Sequence, residues 1–193
     1  MAISSIDGTN FITGAYSAGK GGNISELKSV IQGGGSPIAN FAMVAAYFAG
    51  QEEKTMQTRL NEYEKQHDKY KECLDVSKIA HQKKGEAASK NNAPHAGSTF
   101  KNYMVKIMGG GKTGRDKFDG IDVNDDNKHN EDEMQSYIDV LNKQKDIEST
   151  ELNALSTKVD MAVKDSSEAQ QMAANAVKKA TDLMSTQGRT SGG

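Results

Sequence analysis

The chain has no tryptophan, one cysteine, two prolines and almost no net charge, and each shortage removes a class of protein. A lone Cys73 excludes an intrachain disulfide and with it a disulfide-held scaffold. It falls within helical periodicity, where a small buried residue is expected rather than a reactive thiol. With 24 basic and 26 acidic residues the net charge is -2, which offers no electrostatic case for nucleic acid. The longest uncharged stretch is residues 29–51, and within it only residues 38–49 are consistently apolar. That is too short for a bilayer, so no transmembrane segment is expected. The first ten residues lack the basic start and apolar run of a cleaved signal peptide, and export would have to use another route. His67, His81, His95, His129 and Cys73 never cluster at metal-ligand spacing, and no nucleophile and base arrangement is visible. The reading is of a protein that is not an enzyme and needs no cofactor.

What the chain does have is helical periodicity. Residues 134–184 contain neither Pro nor Gly, and apolar or small residues recur there at alternating steps of four and three. The seam passes through Met134, Ile138, Leu141, Lys145, Glu148, Leu152, Leu155, Val159, Ala162, Ser166, Ala169, Ala173, Ala176, Ala180 and Leu183, the a/d spacing of a coiled coil. A helix over this stretch would rise about 75 Å, more than a domain of this size needs to span its own core. It requires a partner.

A second long helix is predicted over residues 36–84. Ser36 and Pro37 supply a capping residue and a first-turn proline. Residues 38–49 are apolar on nearly every face, and an all-round apolar helix is expected to be buried all round. Past Gly50 the helix turns charged, with one seam traced without a break through Ala42, Ala46, Ala49, Glu53, Met56, Leu60, Tyr63, His67, Tyr70, Leu74, Ser77 and His81. The histidines at 67 and 81 are read as polar seam residues that set register. Gly50 inside such a helix costs about 1 kcal/mol relative to Ala.

Residues 1–35 are rich in Gly, Ser, Ala and Asn and are read as flexible, with one amphipathic turn through Ile24, Leu27, Val30 and Ile31. Residues 85–130 are read as an irregular insert with one short helix at 99–108 and an extended piece around Ile121 and Val123. Residues 131–187 form the C-terminal coiled-coil helix and 188–193 a frayed tail. The expected fold is mainly α: two long helices in an antiparallel coiled-coil hairpin, a small insert and a Gly-rich start. Such a hairpin leaves residues 38–49 partly uncovered, so the chain is expected to polymerise. The residues expected to carry self-assembly are Ile38, Phe41, Val44, Tyr47 and Phe48 on the first helix. On the last they are Leu152, Leu155, Val159, Ala173, Ala176, Ala180 and Leu183.

Two stretches invite a ligand. Asp122, Asn124, Asp126, Asn130 and Glu133 stand at positions one, three, five, nine and twelve of a calcium loop. Asn127 replaces its usual Gly, His129 its apolar residue, and the preceding segment is a poor entering helix. The competing reading is a solvated acidic turn capping the last helix. Gly109, Gly110, Gly111, Lys112 and Thr113 evoke a phosphate loop, but Lys106 occupies the position of its first Gly and no strand precedes it. A flexible helix stop accounts for them better.

The order of features resembles the EspA/SseB group of type III secretion translocator proteins. The resemblance is carried by residues 38–51 with the charged helix behind them and by Phe100 to Met104. Phe118 to Asp122 and the run Glu133 to Asn142 entering the last helix complete it. It implies a secreted virulence protein that polymerises through coiled coils into a bacterial surface appendage. That filament extends the type III needle and conducts effectors and pore-forming translocators toward the host cell. It also implies an uncleaved N-terminal secretion signal and a cytosolic secretion chaperone as partner. A needle-tip protein and a calcium-binding interaction module are the alternatives.

Overall fold

The computed structural model describes residues 8–25, 27–28, 37–90, 97–121 and 128–190. The protein is mainly helical, and no strand occurs among the described residues. The helices are α1 (Gly8–Gly21), α2 (Pro37–Lys90), α3 (Ser98–Ile107), α4 (Gly111–Asp119) and α5 (Glu131–Thr190). Two are long: α2 has 54 residues and α5 has 60. The described chain forms two compact units, one of residues 1–62 with 155–193 and one of residues 63–154.

In the unit of residues 63–154, α2 and α5 run antiparallel. Gln66 bonds Glu148, Cys73 lies against the Leu141 carbonyl at 3.8 Å, and Lys84 reaches Gln135 at 2.7 Å. The core is aromatic and sulfur-rich: Phe100, Tyr103 and Met104 from α3, Phe118 from α4, and Met134, Tyr137, Ile138 and Leu141 from α5. Phe118 and Tyr137 stack with ring centroids 4.8 Å apart, and the Tyr137 hydroxyl donates to the Phe118 carbonyl at 3.0 Å. These bulky groups need small neighbours, and α2 offers Cys73, Val76 and Ala80.

That requirement corrects the expected seam. His67 and His81 are exposed, and Gln66, Cys73, Ala80 and Ala87 are the buried residues, one position earlier. One residue is about 100° of helix rotation, so the shift exchanges a large, polar face for a small one. On α5 the expected Met134, Ile138, Leu141 and Glu148 are buried, and Tyr137, outside the expected seam, is buried with them. The insert also differs from the expected irregular stretch with one short helix. The first long helix continues to Lys90, and two short helices follow it. Gly109, Gly110 and Gly111, with φ of 126°, 68° and 51°, turn the chain between them. Three consecutive residues in a region that disfavours a Cβ make a reversal, after which α4 starts at once. Ile121 lies in a turn rather than an extended piece, and Val123 lies outside the described residues.

The start of α5 is fixed by a reciprocal cap. Asn130 Oδ1 accepts from the Glu133 backbone N–H at 2.9 Å, and Glu133 Oε2 accepts from the Asn130 N–H at 2.9 Å. Two donors that the first turn would leave unpaired are thereby satisfied. Glu131 and Asp132 add negative charge at the positive end of the helix.

In the other unit, α1 replaces much of the expected flexible start. Its polar, Gly-rich sequence has weak helical preference, and what holds it is a close contact with α2. A Cβ on Gly19 would stand 2.0 Å from the Tyr47 carbonyl oxygen, and one on Gly50 would stand 2.2 Å from that of Tyr16. Two glycines facing each other let the backbones approach until Ala15, Ala18, Leu27, Met43, Ala46 and Tyr47 close into one cluster. Lys20 and Glu53 pin the end of this contact at 2.7 Å. Leu27 of the expected amphipathic turn is buried here, Ile24 is exposed, and Val30 and Ile31 lie outside the described residues.

Candidate assembly surface

The apolar segment at the start of α2 presents three faces. Met43, Ala46, Tyr47 and Gly50 turn toward α1. Ala42 packs with Ala176 and Ala180 of α5, and Ala49 with Ala169 and Ala173, again antiparallel. The third face carries Phe41, Val44 and Phe48, spaced i, i+3 and i+7. It spans about 60° of helix circumference at about 100° per residue. Among the described residues nothing covers its aromatic members: Phe41 is 65% and Phe48 53% exposed. Tyr47 meets Phe48 edge-to-face at 5.9 Å, and its hydroxyl accepts from Gln51 Nε2 at 2.9 Å. The segment is thus buried on two sides and open on the third; the hairpin expected from the sequence also leaves it partly uncovered in the single chain, without saying on which face.

The other expected assembly residues divide in the same way. Ile38 and Val44 are half-buried, Ile38 against Ala42 and Ala176. Tyr47 faces α1 within the chain. Ala173, Ala176 and Ala180 are covered by α2 of the same chain, not left for a second copy. Leu152, Leu155 and Val159 are half-buried, and Leu183 is 45% exposed. Sequence periodicity located the small-residue seam, because Ala162, Ser166, Ala169, Ala173, Ala176 and Ala180 are all buried. It could not show which stripe of the apolar segment stays open. Met161 and Met172, well exposed on α5, were not anticipated, although their spacing of eleven from each other and from Leu183 places all three on one side of the helix.

Beside the covered faces lies an apolar groove of ≈ 260 Å³. Tyr16 of α1, Ala46 and Ala49 of α2, and Ala173, Ala174 and Val177 of α5 form its walls, with Thr13 and Gln170 at its rim. It exists because alanines at the three-helix junction leave volume that larger side chains would fill.

Among the described residues two groups are shifted in acidity, and both belong to the core of residues 63–154. Burial first, then the hydrogen bond to Cys73, holds the Tyr103 hydroxyl far above its usual range. Burial raises the Cys73 thiol, and the same hydrogen bond opposes that rise. Both groups stay neutral as packed residues. Of the expected calcium ligands, Asp122, Asn124 and Asp126 lie outside the described residues, and Asn130 and Glu133 are engaged in the cap of α5. Among the described residues no three His, Cys, Asp or Glu side chains group as a metal site. No described helix is long and apolar enough to cross a membrane. No family model, curated protein or solved structure matches the chain.

Proposed function

We propose that this protein is a structural subunit that assembles with copies of itself into the extracellular filament of a type III secretion system. In this reading the two long helices form one antiparallel coiled-coil hairpin. The observation that carries it is the open aromatic face of α2, Phe41 at 65% and Phe48 at 53% exposure on an otherwise covered apolar segment. Two aromatic side chains of about 200 Å² exposed to that degree present about 240 Å² of apolar surface, worth about 6 kcal/mol if removed from water. A chain with 26% charged residues has ample polar side chains to place there, so the face is costly unless another molecule covers it. The resemblance to the EspA/SseB group supplies the context: a polymer that prolongs the needle, kept from early assembly by a chaperone.

Negative-stain microscopy of the purified protein tests the proposal. Filaments are expected in the wild type, and Phe48→Asp, which puts a charge into a desolvated contact, should abolish them while helical content is retained. A wild type that stays monomeric at high concentration, or a Phe48→Asp protein with unchanged filament yield, overturns it.

A further inference from the structure

We infer that the open stripe of one copy seats in the apolar groove of the next, a head-to-tail contact that cannot close on a single pair. The inference rests on the self-assembly proposed above and names the two surfaces that meet. The stripe of Phe41, Val44 and Phe48 and the groove at Ala46 and Ala49 lie on α2 about 140° of helix surface apart, counting about 100° per residue. A copy's stripe therefore cannot reach its own groove. When it enters a neighbour's groove, that neighbour's stripe remains free for a third copy. A contact between two different patches propagates, whereas one patch meeting itself stops at a dimer.

The surfaces match in size and chemistry. The groove, at ≈ 260 Å³, has room for an aromatic ring, since an apolar cavity of about 150 Å³ already accepts benzene. Its six wall residues carry no charge, and no charged residue occurs between Pro37 and Gly50. Neither side buries an unpaired ion. Area argues for an array over a pair. The stripe offers about 240 Å² and the groove less than half as much. Together they fall well short of the about 1,000 Å² a stable pair requires. Each copy makes the contact twice in an array, once through its stripe and once through its groove, so stability arrives with chain growth and an isolated dimer stays weak.

Cysteine cross-linking on the full-length protein tests this. Cys73 is fully buried, so the wild type is a background with little native cross-linking. Val44→Cys and Ala174→Cys place thiols on the stripe and in the groove while keeping Phe41 and Phe48. Under mild oxidation the protein carrying both should give a ladder of dimers, trimers and higher species. Its yield should be about tenfold above that of a protein with Val44→Cys and Thr150→Cys, Thr150 being an exposed site elsewhere. Val44→Cys alone should give only background. Strong dimers from Val44→Cys alone, with no ladder from the pair, would mean stripe against stripe and overturn the inference. Filaments by microscopy with a ladder no stronger than the control would overturn it and leave the self-assembly proposal standing. No assembly by either method would remove both.

Discussion

Gly50→Ala separates propensity from packing, because the two forecast opposite signs. Within a helix, Ala is favoured over Gly by about 1 kcal/mol, so α2 considered alone should gain. In the folded chain the new Cβ would stand 2.2 Å from the Tyr16 carbonyl oxygen and 2.8 Å from the Lys20 amide nitrogen, both backbone atoms that no rotamer change can move. Relief requires α1 to retreat by about 1 Å, which forfeits a quarter to a half of the dispersion contacts across the interface. Leu27, Met43 and Tyr47 are the large residues buried there. At about 2 kcal/mol each they contribute about 6 kcal/mol, so the loss is about 1.5–3 kcal/mol. After the propensity gain, a net loss of about 0.5–2 kcal/mol is expected, concentrated in α1. Hydrogen exchange is the assay: α1 amides should exchange about 2- to 30-fold faster, at about 1.4 kcal/mol per decade. Gly85→Ala is the matched control in the same helix, since nothing lies within 4 Å of its added Cβ, and it should gain about 0.5–1 kcal/mol. If Gly50→Ala stabilises as Gly85→Ala does, with α1 protection intact, the close contact described here does not hold that helix.

Other substitutions probe the unit of residues 63–154. Gln66 and Glu148, 4% and 8% exposed, bond each other, and Gln144 also donates to Glu148. Gln66→Leu should therefore cost about 1–3 kcal/mol in urea unfolding, and Gln66→Leu with Glu148→Leu should recover most of it. Asn130→Ala or Glu133→Ala breaks the reciprocal cap of α5 and should cost about 0.5–2 kcal/mol without added calcium. Calorimetry with calcium on wild type and Glu133→Ala then distinguishes a cap from a ligand, and wild-type heat lost in the variant would favour the ligand role. Thermal unfolding should weaken in alkali. Tyr103 and Cys73 are held above their ordinary values of 10.0 and 9.0, so the fold favours their neutral forms. Their contribution is fully present below those values and is lost as pH rises past them, since the unfolded chain ionises first. The midpoint should fall from pH 9 upward, less steeply in Tyr103→Phe, and a flat profile between pH 8 and 11 would refute this.

The groove and the stripe differ in how far periodicity could reveal them. The alanine seam of α5 stands out in the sequence because alternating steps of three and four place Ala162 through Ala180 on one line whatever the partner. The stripe was hidden inside a segment apolar on all faces, where period carries no information. Only the positions of α1 and α5 around it leave Phe41 and Phe48 open. The seam of α2 past Tyr63 was misplaced by one residue for a related reason, while Ala42, Ala46 and Ala49 of the same seam are buried. Leu74 and His81 suit a coiled coil by type, yet Phe100, Tyr103 and Met104 demand the small Cys73 and Ala80 opposite them. A partner supplied by an insert cannot be read from the helix it packs on.

By itself the sequence determined the helical class and the two long helices, the start of the last one near Asn130 to Glu133, and the buried line of α5. These depend on neighbours within a few turns, and local spacing encodes them. Tertiary structure alone decided that residues 8–21 are a helix and that Gly19 and Gly50 are a contact rather than two weak points. It also decided which face of the apolar segment stays exposed. Those outcomes turn on residues that are distant in sequence meeting at backbone distance, and a sequence spells neither the meeting nor the face it leaves uncovered.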